Sequence, residues 1–284
     1  MKILNGKLLS EKIFKDIFNE VQDLKKNYNL IPGLAVCLVG DNPASEVYVR
    51  NKIKACERVG FYSVLKKFPS DISKENLKKE ILMLNADKNI HGLLVQLPLP
   101  KGLYEKEVLS WLDPLKDVDA LTLENKALLW QGAPRVVPCT PKGIISLLKH
   151  YEISIKGKTA VVVGRSQIVG LPMFQQLLSH QATVTVCHSQ TKNLSEVCRS
   201  ADIVVACAGV KGLLSKRDFK KGAVVVDVGI HRVDKKLYGD VDTEGLKEHL
   251  SALSLVPGGV GPMTIASLLE NCLEIAKLSC WNKR

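Results

Sequence analysis

The chain has 284 residues, a formal net charge of +11, 46% hydrophobic and 24% charged residues, a balance that excludes a disordered or collagen-like polymer and suits a globular protein of one large domain or, in preference, two medium ones. Lys and Arg are scattered without a run of five or six, and aromatics make up only 5%. This argues against a basic arm or stacking platform for nucleic acid and leaves a solvated basic surface, or anionic small molecules, as the meaning of the charge.

In chain order, Ile13, Phe14, Ile17, Phe18, Val21 and Leu24 repeat on one face and predict a helix over 10–28. A strand over 34–39 runs into Gly40-Asp41-Asn42-Pro43-Ala44-Ser45, where Ser45 is the expected cap of a helix beginning ASEVYVRNKIKACERVG. On that helix Ser45, Tyr48 and Lys52 stand at i, i+3 and i+7, one face, while Val49, Ile53, Cys56 and Val59 supply apolar packing. An aromatic hydroxyl one turn before an amine is a plausible acid/base pair, because a desolvated Lys52 would lose basicity and act as a base. The competing reading is a packed Tyr edge with a solvated Lys. Strands follow at 62–68 and 92–97, the latter carrying Gln96, which could hydrogen-bond the Lys52 amine without adding charge, or be an ordinary strand-end amide.

Residues 113–140 have weak periodicity and hold Pro114, Pro134 and Pro138, with Pro141 just beyond, so the domain junction is placed there. Within it, a carboxylate of Asp117-Val118-Asp119 could accept two N–H donors from an amino-heterocycle such as a pterin, or form an interdomain salt bridge. Thr140-Pro141 is expected to open another helix. Strand 159–164 leads into Gly164-Arg165-Ser166-Gln167-Ile168-Val169-Gly170 and a helix through Leu178. A strand, a turn with glycine at each end and a helix N-terminus make a dinucleotide site, although the pattern is not G-x-G-x-x-G; the alternative is an α/β turn that binds nothing, with Arg165 a solvated surface charge. The next strand, 182–187, ends at His188-Ser189, where an NAD enzyme would carry a carboxylate against the ribose 2′-hydroxyl. Arg165, Ser189, His188 or Lys192 could instead receive a 2′-phosphate, which predicts NADP. Asn193 with Glu196 resembles a capping box. Strands at 203–208 and 223–228 end in Ala208-Gly209 and Asp227-Val228-Gly229-Ile230, small residues that fit a cofactor crossing the sheet edge. Pro257 to Pro262 packs three glycines and two prolines into six residues, a shaped loop before a final helix over 263–280 that could return to the first domain. The alternation of strands and helices reads as βαβ units and mainly parallel sheet.

The eight cysteines contain no C-x-x-C pair, and Cys37, Cys187 and Cys207 sit in apolar runs, so they are expected as buried thiols, not disulfides or metal ligands. With no stretch approaching about 18 apolar residues and no apolar leader in MKILNGKLLSEK, no membrane partner and a cytoplasmic location are expected.

The segments VGDNPASEVYVRNKIKACERVGF, HGLLVQLPLP, DPLKDVDA, PCTPKGI, VVVGRSQIVGLPM, CHSQTKNL, VVVDVGI, GDVD and VPGGVGPMT, in that order from 39 to 264, resemble the bifunctional methylenetetrahydrofolate dehydrogenase/cyclohydrolase family. The combination is specific although each piece alone is modest. The resemblance implies two α/β domains flanking a cleft, the second a Rossmann-like NADP-binding domain, with tetrahydrofolate derivatives as substrates, a homodimer, and no nucleic-acid partner. It implies domains at 1–120, completed by a C-terminal helix 265–284, and at 140–264, with 121–139 as junction. It implies oxidation of 5,10-methylenetetrahydrofolate with NADP, then hydrolysis of the 5,10-methenyl product to 10-formyltetrahydrofolate. Lys52 would be the catalytic lysine, Tyr48 would stack on folate, and Gln96 would orient Lys52 and make it less basic. Asp119 would hold the pterin, and Pro257, Gly258, Gly259 and Pro262 would shape the folate pocket. Gly164, Arg165, Ser166, Ser189 and Ile230 would meet NADP. Ala120, Ala127 and Gln190 depart from the Gly, Gly and basic residue expected there. The alternatives are a shikimate-like NADP-dependent dehydrogenase on a similar scaffold and a dinucleotide-sensing nucleic-acid-binding protein.

Overall fold

A computed structural model describes residues 1–234 and 236–281, the side chains of Cys280 and Trp281 excepted; the expected helix residues 282–284 lie outside the described residues. In order the elements are β1 (Lys2–Ile3), α1 (Gly6–Tyr28), β2 (Gly33–Val39), α2 (Pro43–Val59), β3 (Tyr62–Phe68), α3 (Lys74–Ala86), β4 (Gly92–Val95), α4 (Glu105–Leu109), α5 (Leu123–Trp130) and α6 (Cys139–His150). There follow β5 (Thr159–Val163), α7 (Gly170–Ser179), β6 (Thr183–Cys187), α8 (Leu194–Ser200), β7 (Ile203–Ala206), β8 (Val224–Asp227), β9 (His231–Val233), β10 (Lys236–Tyr238), β11 (Ala252–Ser254) and α9 (Val260–Trp281). The chain divides into two compact units, one of Glu11–Cys139 with the chain from Ile265 onward, the other of Met1–Ser10 with Thr140–Thr264. Residues 1–10, expected in the first domain, belong instead to the second unit, because β1 pairs in parallel with β11. The expected junction 121–139 lies wholly within the first unit.

Among the described residues, the first unit holds a parallel sheet in the order β3-β2-β4. Every residue of β2 is buried, with Leu34, Val36 and Leu38 in one core cluster beside Phe14, Ile17 and Val21, and Ala35, Cys37 and Val39 in another beside Leu77 and Ile81. A strand covered on both faces carries a continuous apolar run, which is why it was readable. On α1 the buried stripe is narrower than expected: Phe18 is 42% exposed. The cap of α2 is Asn42, not Ser45. Its Oδ1 accepts from Ala44 N and Ser45 N at 3.0 and 3.1 Å, with Pro43 opening the helix. Strand β4 ends at Val95, short of the expected 97; Gln96 N still donates to Cys37 O at 2.9 Å, and Pro98 then has no N–H to continue.

The second unit holds a parallel sheet in the order β1-β11-β8-β7-β5-β6. The chain steps outward from β5 to β6 and returns to β7 on the other side of β5, so the topological switch lies between the carboxyl ends of β5 and β7. The short strands β1 and β11 and the β9–β10 hairpin were not anticipated from sequence. The expected Asn193 box does not form: Asn193 sits at φ +53° with no side-chain cap bond. Thr140 lies inside the first turn of α6, where its hydroxyl meets that of Thr264 at 3.0 Å. Cys37 and Cys187 are buried free thiols and Cys207 is half-buried; no helix among the described residues is long and apolar enough to cross a membrane.

Candidate functional site

On α2, Ser45, Val49, Lys52, Cys56 and Val59 are the spaced residues that face inward, so the helix period that buries Val49 and Cys56 carries Lys52 in with them. Lys52 is only 5% exposed. Its Nζ donates to Gln96 Oε1 at 2.9 Å, and Gln96 Nε2 donates to Leu97 O at 2.7 Å. The second bond fixes which end of the amide faces the lysine, so the lysine meets an acceptor that adds no charge. Tyr48, half-buried, places its ring centroid 5.3 Å from Nζ, within cation–π range. Burial pushes the Lys52 amine below its ordinary basicity, against the opposing pull of Asp119, Cys139 and Cys56.

The two carboxylates of the Asp117-Val118-Asp119 segment have separate tasks. Asp117 is buried and accepts from Thr122 N at 2.7 Å and Asn125 Nδ2 at 3.0 Å, pinning its own turn. Asp119 is partly exposed, and its Oδ1 accepts from Cys139 N at 2.9 Å. Desolvation raises the Asp119 carboxyl above its ordinary value, with the contact to Cys139 and the charge of Lys52 pulling the other way. Between these residues and the next helix, buried Ala120 takes φ +53°, a left-handed conformation that glycine adopts more readily. The sequence singles out Lys52, Tyr48, Gln96 and Asp119 as candidates but not the Cys139 N–H, since a backbone donor leaves no mark in the sequence.

In the second unit, Gly164 follows β5 at φ +130°, and a Cβ there would lie 2.3 Å from Cys207 O. A Cβ on Gly170 would lie 2.2 Å from Gly164 O. Both glycines are therefore required by close backbone approach at the switch point, the second opening the ten-residue helix α7. Ser166 Oγ accepts from Val169 N and Gly170 N at 3.2 Å each, closing the turn, while Arg165 and Ser166 are exposed. After β6 the turn 188–191 closes on itself. His188 N donates to Thr191 Oγ1 at 2.8 Å and Gln190 N donates to His188 Nδ1 at 3.2 Å, so His188 serves the turn and Ser189 stands exposed. Ile230, beyond β8, is 51% exposed. The glycine cradle, the exposed Arg165 and Ser189, and an apolar Ile230 fit a phosphorylated dinucleotide.

Two buried aspartates, Asp227 and Asp240, shape the same sheet edge; in the sequence they stand in the segments VVVDVGI and GDVD, with no individual role given to either carboxylate. Asp227 accepts from Gly229 N, Asp240 N and Val241 N at 3.0, 2.9 and 3.0 Å, and burial pushes its carboxyl up to about 6. Asp240 accepts from Gly209 N at 2.9 Å and meets His231 Nε2 at 2.8 Å, joining the loop after β7 to the start of β9. The loop after β11 is also stiff. Gly258 sits at φ +102°, Lys7 N donates to Gly258 O at 3.0 Å, and a Cβ on Gly6 would lie 1.8 Å from Gly259 O. Pro257 is exposed, Gly258 and Pro262 are half-buried and Gly259 is buried. This loop is part of the second unit, whereas Lys52, Tyr48, Gln96 and Asp119 belong to the first.

Residues 4–119 match the family model described as tetrahydrofolate dehydrogenase/cyclohydrolase, catalytic domain, and residues 138–280 match that of the same family's NAD(P)-binding domain. The chain is 50% identical over 278 residues to the bifunctional protein FolD of Acetivibrio thermocellus, covering 98% of this chain and 97% of that one. Among solved structures it superposes on the bifunctional FolD methylenetetrahydrofolate dehydrogenase/cyclohydrolase of Campylobacter jejuni with a TM-score of 0.96 and 46% identity, over 98% of this chain and 99% of that one. It superposes on the Trypanosoma brucei methylenetetrahydrofolate dehydrogenase-cyclohydrolase, complexed with NADP cofactor and inhibitor, with a TM-score of 0.93 and 36% identity, over 97% of both chains. The shikimate dehydrogenase of Aquifex aeolicus, 16% identical at a TM-score of 0.55 over 89% of this chain and 98% of that one, shares the fold alone.

Proposed function

The chain belongs to the tetrahydrofolate dehydrogenase/cyclohydrolase family, and from that premise we infer a bifunctional enzyme of one-carbon folate metabolism. It oxidises 5,10-methylenetetrahydrofolate to 5,10-methenyltetrahydrofolate with NADP and hydrolyses the product to 10-formyltetrahydrofolate. The observation that carries this reading is the buried Lys52 amine held 2.9 Å from a neutral amide oxygen of Gln96.

When bound, NADP supplies the acceptor for the hydride that leaves the folate methylene carbon. Arg165 and Ser189 would meet its 2′-phosphate, and the Gly164 to Gly170 turn with Ser166 would hold its pyrophosphate, with Ile230 against an apolar face. Tyr48 stacks on the folate and Asp119 accepts N–H groups of the pterin. By the family resemblance, Pro257, Gly258, Gly259 and Pro262 would also contact the folate. In hydrolysis, water adds to the methenyl carbon and loses a proton to the neutral Lys52 amine. The bond from that carbon to N5 then breaks as the hydroxyl becomes the formyl carbonyl; N5 takes up the proton held by Lys52, the hydroxyl proton is released to solvent, and the formyl group remains on N10. Gln96 keeps Lys52 aimed and, being uncharged, leaves the desolvated amine in its weakly basic state.

In this reading the unit that holds Lys52 is the catalytic, folate-binding domain, and the unit that holds the Gly164 turn is the NADP-binding domain. The enzyme works as a homodimer in the cytoplasm. The test is a Lys52→Met variant: methenyltetrahydrofolate hydrolysis should fall by about 100-fold or more, the loss expected when general acid–base assistance is removed. Hydrolysis at the wild-type rate would show that Lys52 is not the base. Purified protein that formed no NADPH from methylenetetrahydrofolate and NADP would remove the dehydrogenase assignment.

A further inference from the structure

Asn271 lies within α9 and is fully buried at 0% exposure. Its Nδ2 donates to Val118 O at 2.8 Å and to Val137 O at 2.7 Å. An amide nitrogen has two hydrogens, and these two carbonyls use both. The carbonyls flank a third bond: Asp119 follows Val118, Cys139 lies two residues beyond Val137, and Cys139 N donates to Asp119 Oδ1 at 2.9 Å. Cys139 Sγ closes the same cluster, 3.4 Å from Val118 O and 3.7 Å from Asn271 Nδ2. The neighbours of Asn271 along the buried face of α9, Leu268, Cys272 and Ile275, are core residues, so an apolar side chain would suit the packing. Burying an amide there is costly unless its bonds are made, and these bonds go to the two segments that meet at Asp119.

We propose that Asn271 is a positioning residue for the folate contact: from α9 it holds segments 118–119 and 137–139 at the spacing in which the Cys139 N–H reaches Asp119, and so aims the carboxylate that grips the pterin. This rests on the reading of Asp119 as the pterin acceptor, and the two are separable. Steady-state kinetics with 5,10-methylenetetrahydrofolate and NADP are measured for the wild type, Asp119→Ala, Asn271→Ala and the double variant. Asn271→Ala is expected to raise KM for the folate about 10- to 100-fold, as when a supporting bond behind a binding group is lost or the group moves by about 1 Å, while KM for NADP stays unchanged. In the Asp119→Ala background the same substitution should add nothing, because the group it aims is gone.

A purely structural Asn271 would lower the melting temperature and leave the folate KM unchanged, or would add its full factor on top of Asp119→Ala; either result overturns the proposal. An unchanged folate KM in Asp119→Ala overturns the reading of Asp119 itself. If Asn271→Ala does not fold, Asn271→Ser, which retains one donor, must show a smaller rise in the same KM that vanishes beside Asp119→Ala, and a rise that persists there counts against the proposal.

Discussion

The neutrality of Gln96 is the most exposed element of the proposed chemistry, and Gln96→Glu tests it with almost no change in shape. The wild-type amide oxygen lies 2.9 Å from Lys52 Nζ, so the introduced carboxylate would stand within about 4 Å of the ammonium. At an effective dielectric near 20, such a pair attracts by roughly 4 kcal/mol. Burial places Lys52 below its ordinary basicity, and that attraction works in the opposite direction, favouring the protonated amine. Part of the effect is offset because the carboxylate must itself be desolvated, at a cost of several kcal/mol. Even half of the attraction, roughly 2 kcal/mol, reduces the neutral amine about 30-fold. Hydrolysis of methenyltetrahydrofolate, followed by the loss of its ultraviolet absorbance across pH 6 to 9, should therefore slow by about 10- to 100-fold at neutral pH. If Lys52 is the base, any rise of the rate with pH should move to higher pH in the variant. A variant with the wild-type rate and an unmoved pH profile would refute the base role of Lys52 and the purpose assigned to Gln96.

Three further outcomes are expected. Arg165→Ala should raise KM for NADP about 10-fold or more, the loss of a charge-assisted contact, with KM for NAD nearly unchanged; equal effects on both cofactors would place Arg165 away from the 2′-phosphate. Asp227, whose folded carboxyl is raised from 3.8 to about 6, binds a proton that the unfolded chain has lost over that window, so its contribution to stability falls as pH rises from about 4 to about 6. The shift corresponds to roughly 3 kcal/mol at most. Urea unfolding should show Asp227→Asn gaining on the wild type across that interval, and parallel curves would contradict this. At Ala120, glycine would relieve roughly 1 kcal/mol of left-handed strain, but it would also lose a buried methyl and free the unfolded chain, each worth about 1 kcal/mol. Ala120→Gly should therefore unfold within about 1 kcal/mol of the wild type, and a large stabilisation would mean that the methyl is poorly packed.

The sheets were legible because β2, β5, β7 and β8 are buried along most or all of their length, which makes their apolar runs continuous and their βα alternation plain. Strands β1, β9, β10 and β11 have only two or three residues each and cannot display a period. Ser45 and Asn42 are both capping residues within one turn, and only the position of Pro43 distinguishes them. Domain membership of residues 1–10 depends on the β1–β11 pairing, a contact across almost the whole chain that no local pattern encodes.

The site divides in the same way. Lys52 could be placed because it occupies the turn spacing of Val49 and Cys56, and that spacing also accounts for its altered basicity: the apolar stripe buries the amine before any substrate is considered. The support behind Asp119 could not be placed, since it consists of a backbone N–H and an asparagine 153 residues from the carbonyl it holds. Side chains that act at a reacting atom carry their chemistry in their identity, whereas those that aim them are ordinary polar residues whose meaning depends on partners brought together by folding. The buried amide of Asn271 becomes informative only once its two acceptors are known to lie on the segments that the Cys139–Asp119 bond joins, and the double-variant kinetics ask whether that geometry is used.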